Sequence, residues 1–435
     1  MNSPHTSTAL LTDHYELTML QAALAGGTAH RRSVFELFGR QLPEGRRYGV
    51  VAGVGRALDA LESFHFDEEA LTSLREGGVV DEPTLDWLAG YRFTGDIWGY
   101  AEGEVYFPYS PLVVVEATFA EAVVVETLLL SIYNHDSAIA SAASRMTHAA
   151  GARPCIEMGS RRTHEEAAVA SARAAYVAGF TATSNLAARQ RYGIPTTGTS
   201  AHSFTLLHDN EEDAFRAQVD SLGHGTTLLV DTYDIAEAVR LAVQVAGPEL
   251  GAVRIDSGDL GALAHRVRAQ LDSLGAEDTR IVVTSDLDEY AIASLASAPV
   301  DGYGVGTQLV TGSGHPTSGF VYKLVARAGE GDGELVSVAK KSLDKISIGG
   351  RKYALRRRDA HGIAEAEMVG IGDPPIDDGD DRALLVPLVR GGEVVGRESL
   401  EVARARHLSA RAELPLPAQQ MSKGGPVIET LHLGG

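Results

Sequence analysis

At 435 residues, with 44% apolar and 22% charged residues, the chain is too long for one ordinary core and too apolar for wholesale disorder. A net charge of −20 excludes a coat for nucleic acid or an anionic membrane, yet leaves room for a local basic site. The single cysteine, Cys155, excludes an internal disulfide framework and a cysteine-built zinc site.

In chain order, the first twenty residues show no basic segment followed by an apolar one, so a cytoplasmic protein is expected. Residues 31–110 predict short strands at Ser33–Phe38 and Ile97–Ala101, with a helix at Gly53–Phe64. Leu112–Ile132 is the most apolar stretch, but Glu116, Glu121 and Glu126 interrupt it and no membrane span is expected.

From residue 153 to 305 the pattern alternates. Strands are predicted at Arg153–Glu157, Phe180–Thr183, Pro195–Thr199, Thr226–Val230, Gly251–Ile255, Arg280–Val283 and Gly302–Val305. Helical periods fall at His164–Ala178, Ile235–Val245, Leu260–Ser273 and Asp288–Ala296. Such alternation implies parallel strands with crossover helices. Seven strands favour an α/β barrel, incomplete or not, and an open doubly wound sheet is the alternative. Residues 320–400 then predict an antiparallel meander at Phe320–Arg327, Glu334–Ala339, Lys352–Arg357 and Leu384–Val389, with a hairpin at 329–333. The Asp373–Asp381 loop reads as an exposed connection, and Pro415–Gly435 as a loose tail.

The chemistry collects at the C-terminal ends of the central strands. These ends read Met158-Gly-Ser-Arg-Arg-Thr163, Thr183-Ser-Asn185, Gly198-Thr-Ser-Ala-His-Ser203, Asp231-Thr-Tyr-Asp234, Asp256-Ser-Gly-Asp259, Thr284-Ser-Asp286 and Gly304-Val-Gly-Thr-Gln308. In a parallel barrel they share one face, where such folds build active sites. Helix capping alone explains Ser257 or Asp286. It does not explain Arg161, Arg162 and His202 at the same level. Gly258, Gly304 and Gly306 offer backbone N–H groups to phosphate, and Arg161 and Arg254 suit bidentate anion contacts. Asp256 and Asp259 suit Mg²⁺ or a ribose diol. His202 suits a nucleophile or an acid/base, although a lone loop histidine is more often structural. Five of the six lysines lie between 323 and 352, either a solvated strand pair or a phosphate-binding edge. P-loop, dinucleotide-fingerprint and nucleophile-elbow motifs are absent, and Cys155 reads as a small buried hydrophobe.

Five ordered motifs give the chain a family resemblance. Thr12-Asp-His-Tyr-Glu-Leu-Thr-Met19, Glu157-Met-Gly-Ser-Arg-Arg162, Gly198-Thr-Ser-Ala-His202, Ile255-Asp-Ser-Gly-Asp-Leu260 and Gly304-Val-Gly-Thr307 resemble the nicotinate phosphoribosyltransferase family, from about residue 11 to about 350. The resemblance implies an α/β protein with an irregular TIM-like α/β barrel at 111–320 carrying the active site. An α/β N-terminal domain at 1–110 would be completed by C-terminal strands at 321–435. It implies a homodimer with sites at the interface, and transfer from phosphoribosyl pyrophosphate to nicotinate. Mg²⁺ would be the cofactor and ATP a co-substrate that phosphorylates His202.

By position, the resemblance gives Arg161 the pyridine carboxylate and Met158 one face of the ring. Tyr15, with Asp13, would cover the other face across the dimer interface. Arg254, Asp256, Ser257, Gly258 and Asp259 would surround the ribose and pyrophosphate. Asp256 would also stabilise the cationic sugar during transfer. Ser285, Gly306 and Thr307 would hold the 5′-phosphate, and Lys341 and Lys345 would form a basic loop. Ser184 stands where nicotinamide phosphoribosyltransferase has an aspartate; a hydroxyl suits a carboxylate substrate better. Nicotinamide phosphoribosyltransferase and an inactive phosphosugar-binding homologue are the alternatives. Quinolinate phosphoribosyltransferase is shorter and lacks the Gly-Thr-x-x-His motif. An aldolase of similar fold is disfavoured, because every lysine lies at or beyond 323, after the barrel.

Overall fold

The computed structural model describes residues 7–329, 333–340 and 347–434. The chain divides into two compact units, Met1–Ala138 with Thr317–Gly435, and Ile139–Pro316.

The second unit is built on a six-stranded sheet. Its strands are Cys155–Glu157, Ala182–Thr183, Thr227–Leu229, Ala252–Ile255, Arg280–Ser285 and Gly302–Val305, and every neighbouring pair is parallel. Chain neighbours sit side by side from Thr227–Leu229 to Gly302–Val305. That last strand then pairs with the first, Tyr303 opposite Cys155. A last-to-first pairing is the order of a ring, not of a doubly wound sheet. No ladder joins Ala182–Thr183 to Thr227–Leu229, so the ring is open there.

The predicted strand at Pro195–Thr199 is the piece that does not form. It contributes one bridge, Thr183 to Thr196. Proline cannot donate to a ladder, and Thr-Thr-Gly-Thr offers no apolar face to bury. The other strands form because both faces are covered. Val253, Ile255, Ile281, Val283 and Val305 are fully buried. Helix Leu260–Ser273 buries Leu263, Ala264, Val267 and Leu271, the one-sided spacing of a helix packed against a sheet. Asp259 caps its N-terminus through Ala262 N–H, and Asp234 caps Ile235–Ala246 through Glu237 N–H.

In the first unit, N-terminal and C-terminal strands share sheets, as the fold expectation requires. The larger sheet runs Leu335–Ser337, Phe320–Ala328, Arg32–Gly39, Val113–Thr118, Asp96–Tyr100, Leu385–Arg390 and Glu393–Val394. Residues 111–138, expected with the barrel, are grouped here because Val113–Thr118 is a central strand of this sheet.

Two C-terminal expectations are corrected, and one element is added. Residues 320–400 do not form one meander: Lys352–Arg358 and Ala364–Ile371 belong to a separate four-stranded sheet. The tail is not loose throughout, since Glu429–Leu433 pairs in parallel with Ala364–Ile371. Leu400–Ala412, with no predicted element, is a helix capped by Ser399. The expected hairpin at 329–333 lies partly outside the described residues, but the strands on either side of it are antiparallel.

One lysine of the 323–352 cluster is placed away from any phosphate edge. Lys352 is fully buried and ion-paired with Glu36, so it faces no phosphate. Burial raises the Glu36 carboxyl to about 7, even with that ammonium beside it. Among the described residues no helix is long and apolar enough to cross a membrane.

Candidate active site

The strand ends of the second unit enclose a cavity of about 250 Å³. Met158, Arg161, Arg254, Asp256, Ser285, Gly306 and Thr307, all singled out by sequence, line it. Arg162, Thr284 and Asp286 join them. The order of these groups is the order of the strands. Ser184 comes after an edge strand, Met158 and Arg161 after the next, and then come Gly306 and Thr307, Ser285, and Arg254 with Asp256.

Arg161 is exposed and has no hydrogen bond or ion pair to any described residue. Arg254 is half-buried. Its Nη1 donates to Thr199 Oγ1 and to Ser200 O (3.1 Å), whereas its buried Nε has no partner. Burial lowers the Arg254 pKa and the Arg161 charge adds to this, against Asp256 and Asp231. Two guanidiniums at one cavity with donors unspent form an anion site.

Glycine is required at position 304, which lines the cavity. A Cβ at Gly304 would overlap Thr284 Cγ2 and stand 2.7 Å from Met158 Sδ. Gly304→Ala is therefore expected to cost about 1–3 kcal/mol, as overpacking does. The check is a melting temperature lowered by several degrees together with weakened substrate binding. An unchanged melting temperature would show that both Thr284 and Met158 give way without cost.

His202 opens a short helix, His202–Leu207. Its Nδ1 lies 3.1 Å from Thr232 Oγ1, and its Nε2 lies 3.9 Å from both Asp231 Oδ1 and Asp256 Oδ2. The Asp231 side chain is 1% exposed and the His202 side chain 40%, so a fixed carboxylate faces an accessible imidazole. Asp231 Oδ2 accepts from Asp256 N–H (2.9 Å) and Ser257 Oγ–H (2.8 Å). Its Oδ1 is buried without a hydrogen-bond partner. Asp256 Oδ1 accepts from Thr284 Oγ–H. Gly258 adopts φ +86°, the left-handed turn that carries the chain from Asp256 into the next helix.

The remaining candidates are placed differently. Ser184 is exposed, and its backbone N–H donates to Glu157 O (2.8 Å). Asp259 Oδ1 caps a helix, so that oxygen is already in use. Asp13 and Tyr15 lie in the other unit, at the start of helix His14–Ala25. Tyr15 is exposed, and partial burial followed by the Glu126 charge raises its phenol pKa. Lys341 and Lys345 lie outside the described residues. Among the described residues, the acidic group that could gather a metal ion is Asp377, Asp378 and Asp381, outside the barrel unit and ion-paired to Arg357.

Sequence reasoning did not select Asp231, Thr232 or Thr284. The Asp231-Thr-Tyr-Asp234 strand end held the signal, but its two aspartates look alike. The structure separates them: Asp234 caps a helix, and Asp231 turns toward His202.

A model described as the nicotinate phosphoribosyltransferase N-terminal domain matches residues 10–134, and one described as the nicotinate phosphoribosyltransferase family matches residues 154–361. The nicotinate phosphoribosyltransferase pncB1 of Mycobacterium tuberculosis is 57% identical over 430 residues, covering 97% of this chain and 94% of its own. That of Bacillus subtilis is 36% identical over 386 residues, covering 86% and 78%. The crystal structure of human nicotinic acid phosphoribosyltransferase aligns with a TM-score of 0.83 over 97% of both chains at 23% identity, a likeness of fold.

Proposed function

Since the chain belongs to the nicotinate phosphoribosyltransferase family, we propose that it transfers a phosphoribosyl group from phosphoribosyl pyrophosphate to nicotinate, releasing pyrophosphate. The product is nicotinate mononucleotide, and the role is salvage of the pyridine ring for NAD. The observation that carries this reading is the order of groups at the C-terminal ends of successive strands: a hydroxyl and a free guanidinium, then phosphate donors, then carboxylates beside a histidine.

In this reading Arg161 pairs with the nicotinate carboxylate, Ser184 donates to it, and Met158 packs on the ring. Gly306, Thr307 and Ser285 take the 5′-phosphate. The ring nitrogen bonds to ribose C1 as the bond from C1 to the pyrophosphate oxygen breaks. Positive charge grows on the sugar, where the Asp256 carboxylate stabilises it, and negative charge grows on the leaving group, where Arg254 donates. The nucleophile is the substrate's own nitrogen, so positioning does most of the work. Asp256, at the cavity and only partly buried, suits a hydrated Mg²⁺, which when bound would neutralise the pyrophosphate.

We assign the ATP-coupled step to His202. Asp231 Oδ1 faces Nε2 at 3.9 Å, and a small approach of the imidazole would let it accept Nε2–H, which leaves the Nδ1 lone pair as the nucleophile. The γ-phosphoryl group passes to Nδ1 as the bond to ADP breaks, and hydrolysis later returns the imidazole. Thr232 Oγ–H, now on Nδ1, is placed to donate to the phosphoryl oxygens instead. Tyr15 and Asp13 would serve the site of a partner subunit in a cytoplasmic homodimer.

The test supplies purified protein with phosphoribosyl pyrophosphate, Mg²⁺ and either nicotinate or nicotinamide, with and without ATP. Nicotinate mononucleotide formed faster with ATP is the expected result. A preference for nicotinamide would overturn the role of Ser184, and no product from either substrate would overturn the reaction. Ser184→Asp should weaken nicotinate use at least about tenfold, by placing like charges together. Unchanged activity would show that Ser184, which is not among the residues lining the cavity, does not contact nicotinate.

A further inference from the structure

Glu157 sits directly before the Met158 turn and is fully buried, with its side chain away from solvent. Buried carboxylates need partners, and this one has two. Gly159 N–H donates to Oε1, and Thr183 Oγ–H donates to Oε2. Thr183 Oγ1 also accepts from Asn185 N–H (2.9 Å). Asn185 Nδ2 in turn donates to Ser160 Oγ (3.0 Å). The turn at 158–161 and the turn at 183–185 are thus tied twice, once beneath by Glu157 and Thr183, and again by Asn185 and Ser160.

The placement of these ties matters for the pocket. Arg161 comes directly after the tied Ser160, and Ser184 lies between the tied Thr183 and Asn185. Ser184 N–H also donates to Glu157 O (2.8 Å). The tie leaves no slack at Gly159, where a Cβ would overlap Val310 Cγ1 and lie 3.1 Å from Glu157 Oε1. Both side chains assigned to the nicotinate carboxylate therefore stand on turns whose spacing one buried carboxylate sets.

We propose that Glu157 is a positioning residue for nicotinate: its carboxylate fixes the distance between Arg161 and Ser184 and so selects a planar carboxylate between them. This rests on the substrate reading above. Glu157 touches no substrate, and the pairing of a guanidinium with a carboxylate is sensitive to misplacement well under 1 Å.

The chemistry of substitution is specific. Glutamine keeps the volume and can still accept from Gly159 N–H. Its amide then faces Thr183 as a donor, and the Thr183 hydroxyl loses its acceptor. Glu157→Gln is expected to raise the Michaelis constant for nicotinate about tenfold, the scale of one unsatisfied buried donor, and to leave that for phosphoribosyl pyrophosphate nearly unchanged. Thr183→Val removes the same bond and also the acceptor of Asn185 N–H, so it should raise the nicotinate constant at least as much. Thr183→Ser keeps the hydroxyl and should behave as the unsubstituted enzyme.

The double variant Glu157→Gln, Thr183→Val should be no worse than Thr183→Val alone, because the bond between the two side chains is lost only once. Melting temperatures measured alongside separate positioning from misfolding. The proposal is overturned if both Michaelis constants rise together, if Thr183→Val has no effect, or if Thr183→Ser fails to rescue. If the unsubstituted enzyme makes no nicotinate mononucleotide, the substrate reading falls and this inference falls with it.

Discussion

Arg161→Ala is expected to raise the Michaelis constant for nicotinate about a hundredfold while changing that for phosphoribosyl pyrophosphate by less than about threefold. Arg161 is exposed, and no described residue satisfies its guanidinium, so removing it should leave the fold intact. Arg254 at the same cavity is different, because Thr199 and Ser200 already use two of its bonds. The substrate carboxylate is the anion that Arg161 would pair. Its loss strands that carboxylate beside the apolar Met158 wall, and the cost of an unpaired charge falls on nicotinate alone.

Arg161→Lys should recover only part of the affinity, since an ammonium lacks the bidentate geometry. Nicotinamide, which carries no charge, should be used no worse by Arg161→Ala than by the unsubstituted enzyme. Michaelis constants for both pyridines and for the phosphosugar would check all three points. Equal rises for nicotinate and phosphoribosyl pyrophosphate would move Arg161 to the phosphate side of the cavity.

Local signals in the sequence reach the elements whose partners are near in the chain. Gly302–Val305 and Leu260–Ser273 are read to the residue, because a run of buried positions or a capped helical period marks each. The strand ends are legible as a group, since many of their polar residues line one cavity, although others such as Asp234 and Asp259 cap helices. The features that escape depend on distant partners. Lys352 resembles a phosphate ligand in sequence, but Glu36, far away in the chain, takes its charge. Glu429–Leu433 alternates exposed and half-buried residues, and only Ala364–Ile371 makes it a strand. Pro195–Thr199 has a strand-like place in the rhythm but nothing to bury. Asp231 is visible as a residue but not as a role, because capping and catalysis use the same carboxylate.

His202→Ala is expected to abolish the acceleration by ATP, leaving the ATP-independent transfer rate. Removing the imidazole takes away the only group assigned to receive the phosphoryl, while Arg161, Arg254 and Ser285 still line the cavity. Asp231→Asn should do more. It loses the buried acceptor for Nε2–H, so the imidazole no longer holds the tautomer with its lone pair on Nδ1. It also weakens the acceptor of Asp256 N–H and Ser257 Oγ–H, residues that would border the phosphosugar in the proposed function. The expected result is loss of ATP acceleration together with a rise of about tenfold in the Michaelis constant for phosphoribosyl pyrophosphate. Incubation with γ-labelled ATP gives the direct readout: acid-labile label on the unsubstituted protein, and none on His202→Ala. Label retained by His202→Ala would place the phosphoryl group elsewhere. An Asp231→Asn variant that lost the label but kept its phosphosugar affinity would confine Asp231 to the histidine, and Asp256 would then be held by Thr284 alone.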